Sequence, residues 1–155
     1  DVRIMDAKPI CPGKYYIVFA GSVSAVSNSM NVVREEEDTF IIDSVKVSNV
    51  YLEIFSALFQ TAEIKEWKSI GIIETITSPS IFAAADAAIK ATAVDLVEIR
   101  VARALGGKNM LIINGDVSSV EESIKAGIKY PEKKDALVDY RVVASPHKDL
   151  YGAIK

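Results

Sequence analysis

The chain of 155 residues holds one cysteine and one histidine, so its chemistry-bearing groups are few. Cys11 stands in "KPICPGKYY" (8–16), between two prolines and just before a glycine. A lone cysteine has no internal disulfide partner, and one side chain cannot hold a metal. Cys11-Pro12-Gly13-Lys14 has the signature of a type II turn, with Pro at i+1 and Gly at i+2. Pro9 stiffens the approach, which predicts a thiol at the tip of a nearly rigid hairpin. Cysteine usually favours burial, and a hairpin tip is a poor place to bury one. The position therefore asks for an explanation beyond packing.

The other candidates are weaker. His147, in "SPHKD", has no second histidine to work with, and no Ser-His-Asp geometry follows from "ASPHKD"; it reads as a surface or interface residue. "LGGK" (105–108) lacks the spacing of a phosphate loop and reads as a hairpin turn. "REEED" (34–38) reads as a solvated helix end, and Trp67 and the tyrosines as packing groups. No basic-aromatic interleaving of the single-strand-binding kind occurs. With a net charge of −3, bulk charge gives no reason to expect nucleic acid or an acidic membrane surface. No apolar run reaches the roughly 18 residues of a membrane span. No secretory signal is visible, and a single cysteine fits a reducing compartment. No catalytic set emerges, so the chain is not read as an enzyme.

The elements that must position Cys11 come in two copies. With a shift of 94, "ICPGKYYIVFAGSVSAV" (10–26) lies on "ALGGKNMLIINGDVSSV" (104–120) without a gap. Gly13 and Lys14 meet Gly107 and Lys108, and Gly21, Val23, Ser24 and Val26 meet Gly115, Val117, Ser118 and Val120. Further on the offset becomes 96, so that Asp43 and Val47 fall on Asp139 and Val143; the two extra residues are assigned to a charged loop, "YPEKKD" (130–135). Residues 68–94 have no counterpart in the first copy, which lacks an initial strand and helix. Asp1 falls in mid-pattern, which favours a start lying before it over a degenerate first copy. The domains are read as 1–62 and 68–155.

The second copy can be read element by element. "SIGIIETI" (69–76) is a buried strand. Ser78 is expected as N-cap and Pro79 as the first residue of a helix with the stripe Ile81, Phe82, Ala85, Ala88, Ile89 and Thr92. "LVEIRVA" (96–102) alternates, with Val97, Ile99 and Val101 expected on one face and Glu98 and Arg100 on the other. "NMLIIN" (109–114) is a strand, Ser118 and Glu121 form a capping box, and "LVDYRVV" (137–143) closes the unit. The fold class is α+β, in the order β-α-β-β-α-β of ferredoxin-like folds or a permuted relative. Short helices are expected near Ile54, Leu58 and Phe59 and at the chain's end.

Three segments then carry a family resemblance: the "GIIET" strand, "AADAAIKAT" before "VDLV", and "GDVSSVEESIKAG". Together they resemble the bacterial microcompartment (BMC) shell domain, a permuted ferredoxin-like fold. The second copy matches over nearly its whole length and the first from its second strand onward. Tandem domains with "CPG" in the first are similar to the propanediol-utilisation branch of the family.

The resemblance implies a homotrimer that mimics a hexamer, within a microcompartment shell in the cytoplasm. It implies one [4Fe–4S] cluster per trimer, with Cys11 as its metal ligand. It places Ile10, Cys11, Pro12, Gly13, Leu105, Gly106 and Gly107 at a central pore, and Lys90 and His147 at the tile edge. The family's Pro-Arg-Pro-His edge motif stands here as Ala144-Ser145-Pro146-His147, without its arginine. Implied partners are further copies of the chain, other shell proteins and an encapsulated redox enzyme. A metal-free tile with a metabolite pore and a ferredoxin-like small-molecule sensor remain alternatives.

Overall fold

The computed structural model describes residues 1–102 and 105–154, the side chains of residues 37 and 38 excepted. Ala104 of the repeat and Lys155 of the second domain lie outside the described residues, as do the Glu37 and Asp38 side chains of the acidic run. Strands β1 (Val2–Ile10) and β2 (Lys14–Gly21) form a hairpin, followed by helix α1 (Val23–Glu37) and a 3₁₀ turn (Asp38–Phe40). Helix α2 (Glu53–Leu58) leads into the second copy. There β3 (Ser69–Thr75), α3 (Ser78–Ala91), β4 (Asp95–Arg100), β5 (Asn109–Gly115), α4 (Val117–Lys133) and β6 (Leu137–Val143) give the expected order, and α5 (Lys148–Ala153) follows.

The second copy's sheet is antiparallel throughout, in the order β4-β5-β3-β6. Strand β3 is paired on both edges: Ile72 lies opposite Ile112 of β5 and Arg141 of β6. Being central, it is covered on both faces and reads as a continuous apolar run. Gly71 and Ile73 point towards the helices, and Ile70 and Ile72 towards a smaller cluster with Val97, Ile112 and Trp67. Helices α3 and α4 pack closely because small residues line the seam. Ser123 donates to the Ala88 carbonyl at 2.9 Å, and Gly127 lies beneath Ala84 and Ala88. On the opposite face, Tyr151 of α5 stacks on Trp67 at 4.8 Å, and its hydroxyl donates to the Lys68 carbonyl.

Several local expectations change. The N-cap residues are Thr77 and Asp116, one or two positions ahead of those expected, and neither caps through its side chain. Helix α4 runs through Pro131 to Lys133, so part of "YPEKKD" is helix rather than loop. Strand β4 carries a bulge between Leu96 and Glu98. The extra residue breaks the alternation: Ile99 joins the helix-side core with Leu96, whereas Val97 faces the other way. Glu98 is buried rather than solvated, held by both guanidinium contacts of Arg100 (2.9 and 2.8 Å) and by the Gln60 amide at 2.8 Å.

The first copy stops at a two-stranded sheet. Residues 41–50, the counterpart of β6, form no ladder. The reason is pairing: β6 exists by bonding to β3, and residues 1–62 include no counterpart of β3. The stretch is instead tethered along α3. Thr77 donates to the Asp43 carboxylate at the start of that helix, and Lys90 donates to the Ser48 carbonyl at its end, at 2.8 Å. On the hairpin, Tyr15 and Ile17 are 62% and 56% exposed, while their repeat counterparts Asn109 and Leu111 are fully buried under β3 and α3. Tyr16 on the opposite side joins the main core with Ile54, Ala57 and Leu58 of α2, so part of the first copy rests on the second.

Gly71 gives a direct test of the packing at β3. A Cβ there would lie 2.8 Å from both Ile113 and Val120. Gly71→Ala is expected to cost about 1–3 kcal/mol through overpacking. Gly152→Ala, where nothing lies within 4 Å and the backbone is helical, is the control, expected to keep or raise stability by up to about 1 kcal/mol. Urea midpoints with unchanged m-values check the pair.

Candidate functional site

Two turns occupy the same place in the repeat, and the structure sets them side by side. In the first copy the ladder ends at Ile10↔Lys14, leaving Cys11, Pro12 and Gly13 as the hairpin loop. Gly13 has φ +64°, as the type II expectation requires at that position, but the Cys11–Pro12 peptide is cis, which the expectation did not include. Cys11 is exposed and free. In the second copy Leu105, Gly106 and Gly107 lead to Lys108, whose amide donates to the Leu105 carbonyl at 3.2 Å. Both glycines have positive φ, +61° and +89°, a conformation that side chains with a Cβ disfavour.

The turns touch at Gly107. A Cβ on it would stand 2.7 Å from Pro12 Cδ and 3.1 Å from the Cys11 carbonyl oxygen. Gly106 and Gly13 have nothing within that range and are exposed. The sequence-predicted pore residues Cys11, Pro12 and Gly107 are therefore brought together within one chain. Around them the charges are largely paired: Lys8 with Asp6 at 2.8 Å and Lys108 with Glu74 at 2.7 Å. Tyr16 donates its hydroxyl to Asp6, a cross-strand bond below the hairpin loop.

Lys90 and His147 lie apart from the turns. Lys90 is bound within its own chain, by Asp86 one turn back at 2.6 Å and by the Ser48 carbonyl. An edge lysine would present its ammonium to backbone carbonyls of a neighbour, and here Lys90 meets a backbone carbonyl of its own chain. His147 is exposed and precedes α5, accepting the Asp149 amide on Nδ1 at 3.3 Å. Among the described residues, no group of three or more His, Cys, Asp or Glu side chains is placed to hold a metal. No helix in them is long and apolar enough to cross a membrane. The Glu98–Arg100–Gln60 cluster was missed by sequence reasoning, since a buried carboxylate in an alternating strand gives no signal of its own.

The chain thus carries two α+β units, the first incomplete, whose equivalent turns dock together, and comparison with known families follows from that arrangement. The BMC-domain profile matches residues 1–50 and 69–146, and the chain belongs to that family. Over 151 residues it is 28% identical to the bacterial microcompartment shell protein PduT of Citrobacter freundii, covering 97% of this chain and 82% of that protein. Over 84 residues it is 33% identical to the carboxysome shell protein CcmK2 of Synechococcus elongatus, covering 53% of this chain and 80% of that protein. A solved microcompartment protein from Desulfitobacterium hafniense DCB superposes with a TM-score of 0.87 at 38% identity, over 97% of this chain and 84% of that one. The chain is thus a homologue of shell proteins.

An exposed thiol on a hairpin tip reacts without unfolding. In native buffer, a maleimide is expected to label one thiol per chain of iron-free protein, at the same stoichiometry as in denaturant. Labelling that requires denaturant contradicts the placement of Cys11.

Proposed function

We propose that the protein is a structural shell tile of a bacterial microcompartment, a homotrimer whose three Cys11 thiolates hold one [4Fe–4S] cluster on the three-fold axis. The contact of the Cys11–Pro12 turn with Gly107 carries the reading. A ring of alternating turns from two domains per chain requires that neighbouring turns meet in this way. Cyclic closure of three such chains gives six similar domains around one axis. The nearly full-length similarity to PduT supports the tile, and the half-length similarity to CcmK2 fits one domain standing for one single-domain tile.

The donor set fits the cluster only in the assembly. One chain offers one exposed thiol, and no group of three or more His, Cys, Asp or Glu among its described residues is placed to hold a metal. A [4Fe–4S] cluster ordinarily takes four cysteines, so three symmetry-related thiolates leave one iron to water or another non-protein ligand. When bound, such a group supplies one-electron transfer across the shell, or is itself exchanged through it. The chain's part is to hold the thiol outward on a hairpin whose strands are tied by the Tyr16–Asp6 bond. Partners on this reading are further copies, other shell proteins and an encapsulated redox enzyme, in the cytoplasm.

Light scattering is expected to give a trimer; a monomer or dimer contradicts the ring. Anaerobic reconstitution with iron and sulfide is expected to load wild type and not Cys11→Ser. Equal iron in both, or none in either, leaves a metal-free pore. Lys90→Glu is expected to keep the trimer but abolish flat sheets in electron micrographs of concentrated protein. Unchanged sheets reject the edge role, and a discrete oligomer that never forms sheets favours a sensor.

A further inference from the structure

We infer that Gly107, in the second copy, is the positioning residue that sets the direction of the first copy's Cys11 turn. Gly107 is buried, whereas its neighbour Gly106 is exposed. Both have positive φ, so both carry the same backbone reason to be glycine. Only Gly107 has a second reason. The space where its Cβ would be is filled by the Pro12 ring at 2.7 Å and the Cys11 carbonyl oxygen at 3.1 Å. No real Cβ sits that close to a carbon, so any side chain at 107 must push the turn away. The Pro12 ring is rigid and its φ is fixed, so it cannot yield by rotating a side chain. The displacement passes to Cys11, whose carbonyl is part of the same contact. The thiol's direction is therefore set from outside its own hairpin.

The consequence for iron rests on the cluster reading above. Three thiolates converge on one group only if each hairpin leans at a fixed angle, and the Gly107 contact is what fixes that angle within each chain.

The test compares Gly107→Ala with Gly106→Ala in the otherwise intact protein. The first readout is the rate at which Ellman's reagent modifies Cys11 in iron-free protein. Gly107→Ala is expected to change this rate at least threefold, and Gly106→Ala less than twofold. Equal rates in all three proteins, or equal changes in both variants, overturn the inference, the latter by assigning the effect to backbone strain. The second readout is iron bound after anaerobic reconstitution, expected to fall at least threefold in Gly107→Ala alone. If wild type binds no iron, the cluster reading fails while the thiol rates still decide the positioning role. If the rates shift and the iron does not, the claimed consequence for the cluster is overturned. Should Gly107→Ala fail to fold, Pro12→Ala combined with Gly107→Ala is expected to restore folded protein by removing the ring; no restoration overturns the contact.

Discussion

Strand β3 is the element on which the remainder of the structure depends, because it is bonded along both edges. Its ladder to β5 makes Leu111 and Ile113 part of a covered sheet face, and its ladder to β6 turns residues 137–143 into a strand. The helix that follows it, α3, lays Ala84, Ala85 and Ala88 over that face and against α4. Burying a leucine or isoleucine side chain is worth about 1.5–3 kcal/mol. Leu111 is buried in full at this surface, while its counterpart Ile17 is more than half exposed. The first copy shows what the same pattern does without a central strand. Its hairpin remains two-stranded, residues 41–50 run without a ladder, and Val32 and Val33 on α1 stay exposed.

The first copy is held on the second by two kinds of contact of unequal weight. The apolar one is α2, whose Ile54, Ala57 and Leu58 join the core built on the second copy's sheet. The polar ones are the Asp43–Thr77 and Ser48–Lys90 bonds at the two ends of α3 and the Gln60–Glu98 bond just beyond α2. Lys90 is one-third exposed, and a pair of that kind is worth at most about 1 kcal/mol. Area removed from water docks α2, with Gln60 bonding to the buried Glu98 beside it, and the two tethers along α3 set where the extended stretch runs.

Much of this was legible in the sequence. The repeat, the strands of the second copy and the small-residue helix follow from apolar period and length, which are properties of contiguous residues. What was not legible depends on partners. The bulge at Leu96–Glu98 is a relation between β4 and β5, and a regular alternation in "LVEIRVA" gives no sign of it. Residues 41–50 carry a strand's composition, yet a strand needs an edge to bond to. Pro131 signals an end to helix, but α4 continues two residues past it to Lys133, and Ala136 donates to the Pro131 carbonyl beyond its end. At the site, the glycine signature of both turns was readable, but which glycine meets the other turn was not. Gly106 and Gly107 are the same letter, and only the packing of the two copies separates them.

That packing also bears on why the copies differ where they are otherwise alike. At equivalent positions the first turn has Cys11 and Pro12 and the second has Leu105 and Gly106, while the glycine and lysine that follow are shared. A ring of six identical domains must place the same residue at the axis six times. A ring of three tandem chains can place two residues alternately, three times each. On the proposed trimer, six thiols around one axis would exceed the four that a [4Fe–4S] cluster ordinarily binds, whereas three would not. The alternate positions would then fall to Leu105, which brings neither charge nor a competing ligand. Duplication of the domain would thus free the number of ligands from the number of domains, and the contact at Gly107 ties the turn that carries the thiol to a neighbour that has none.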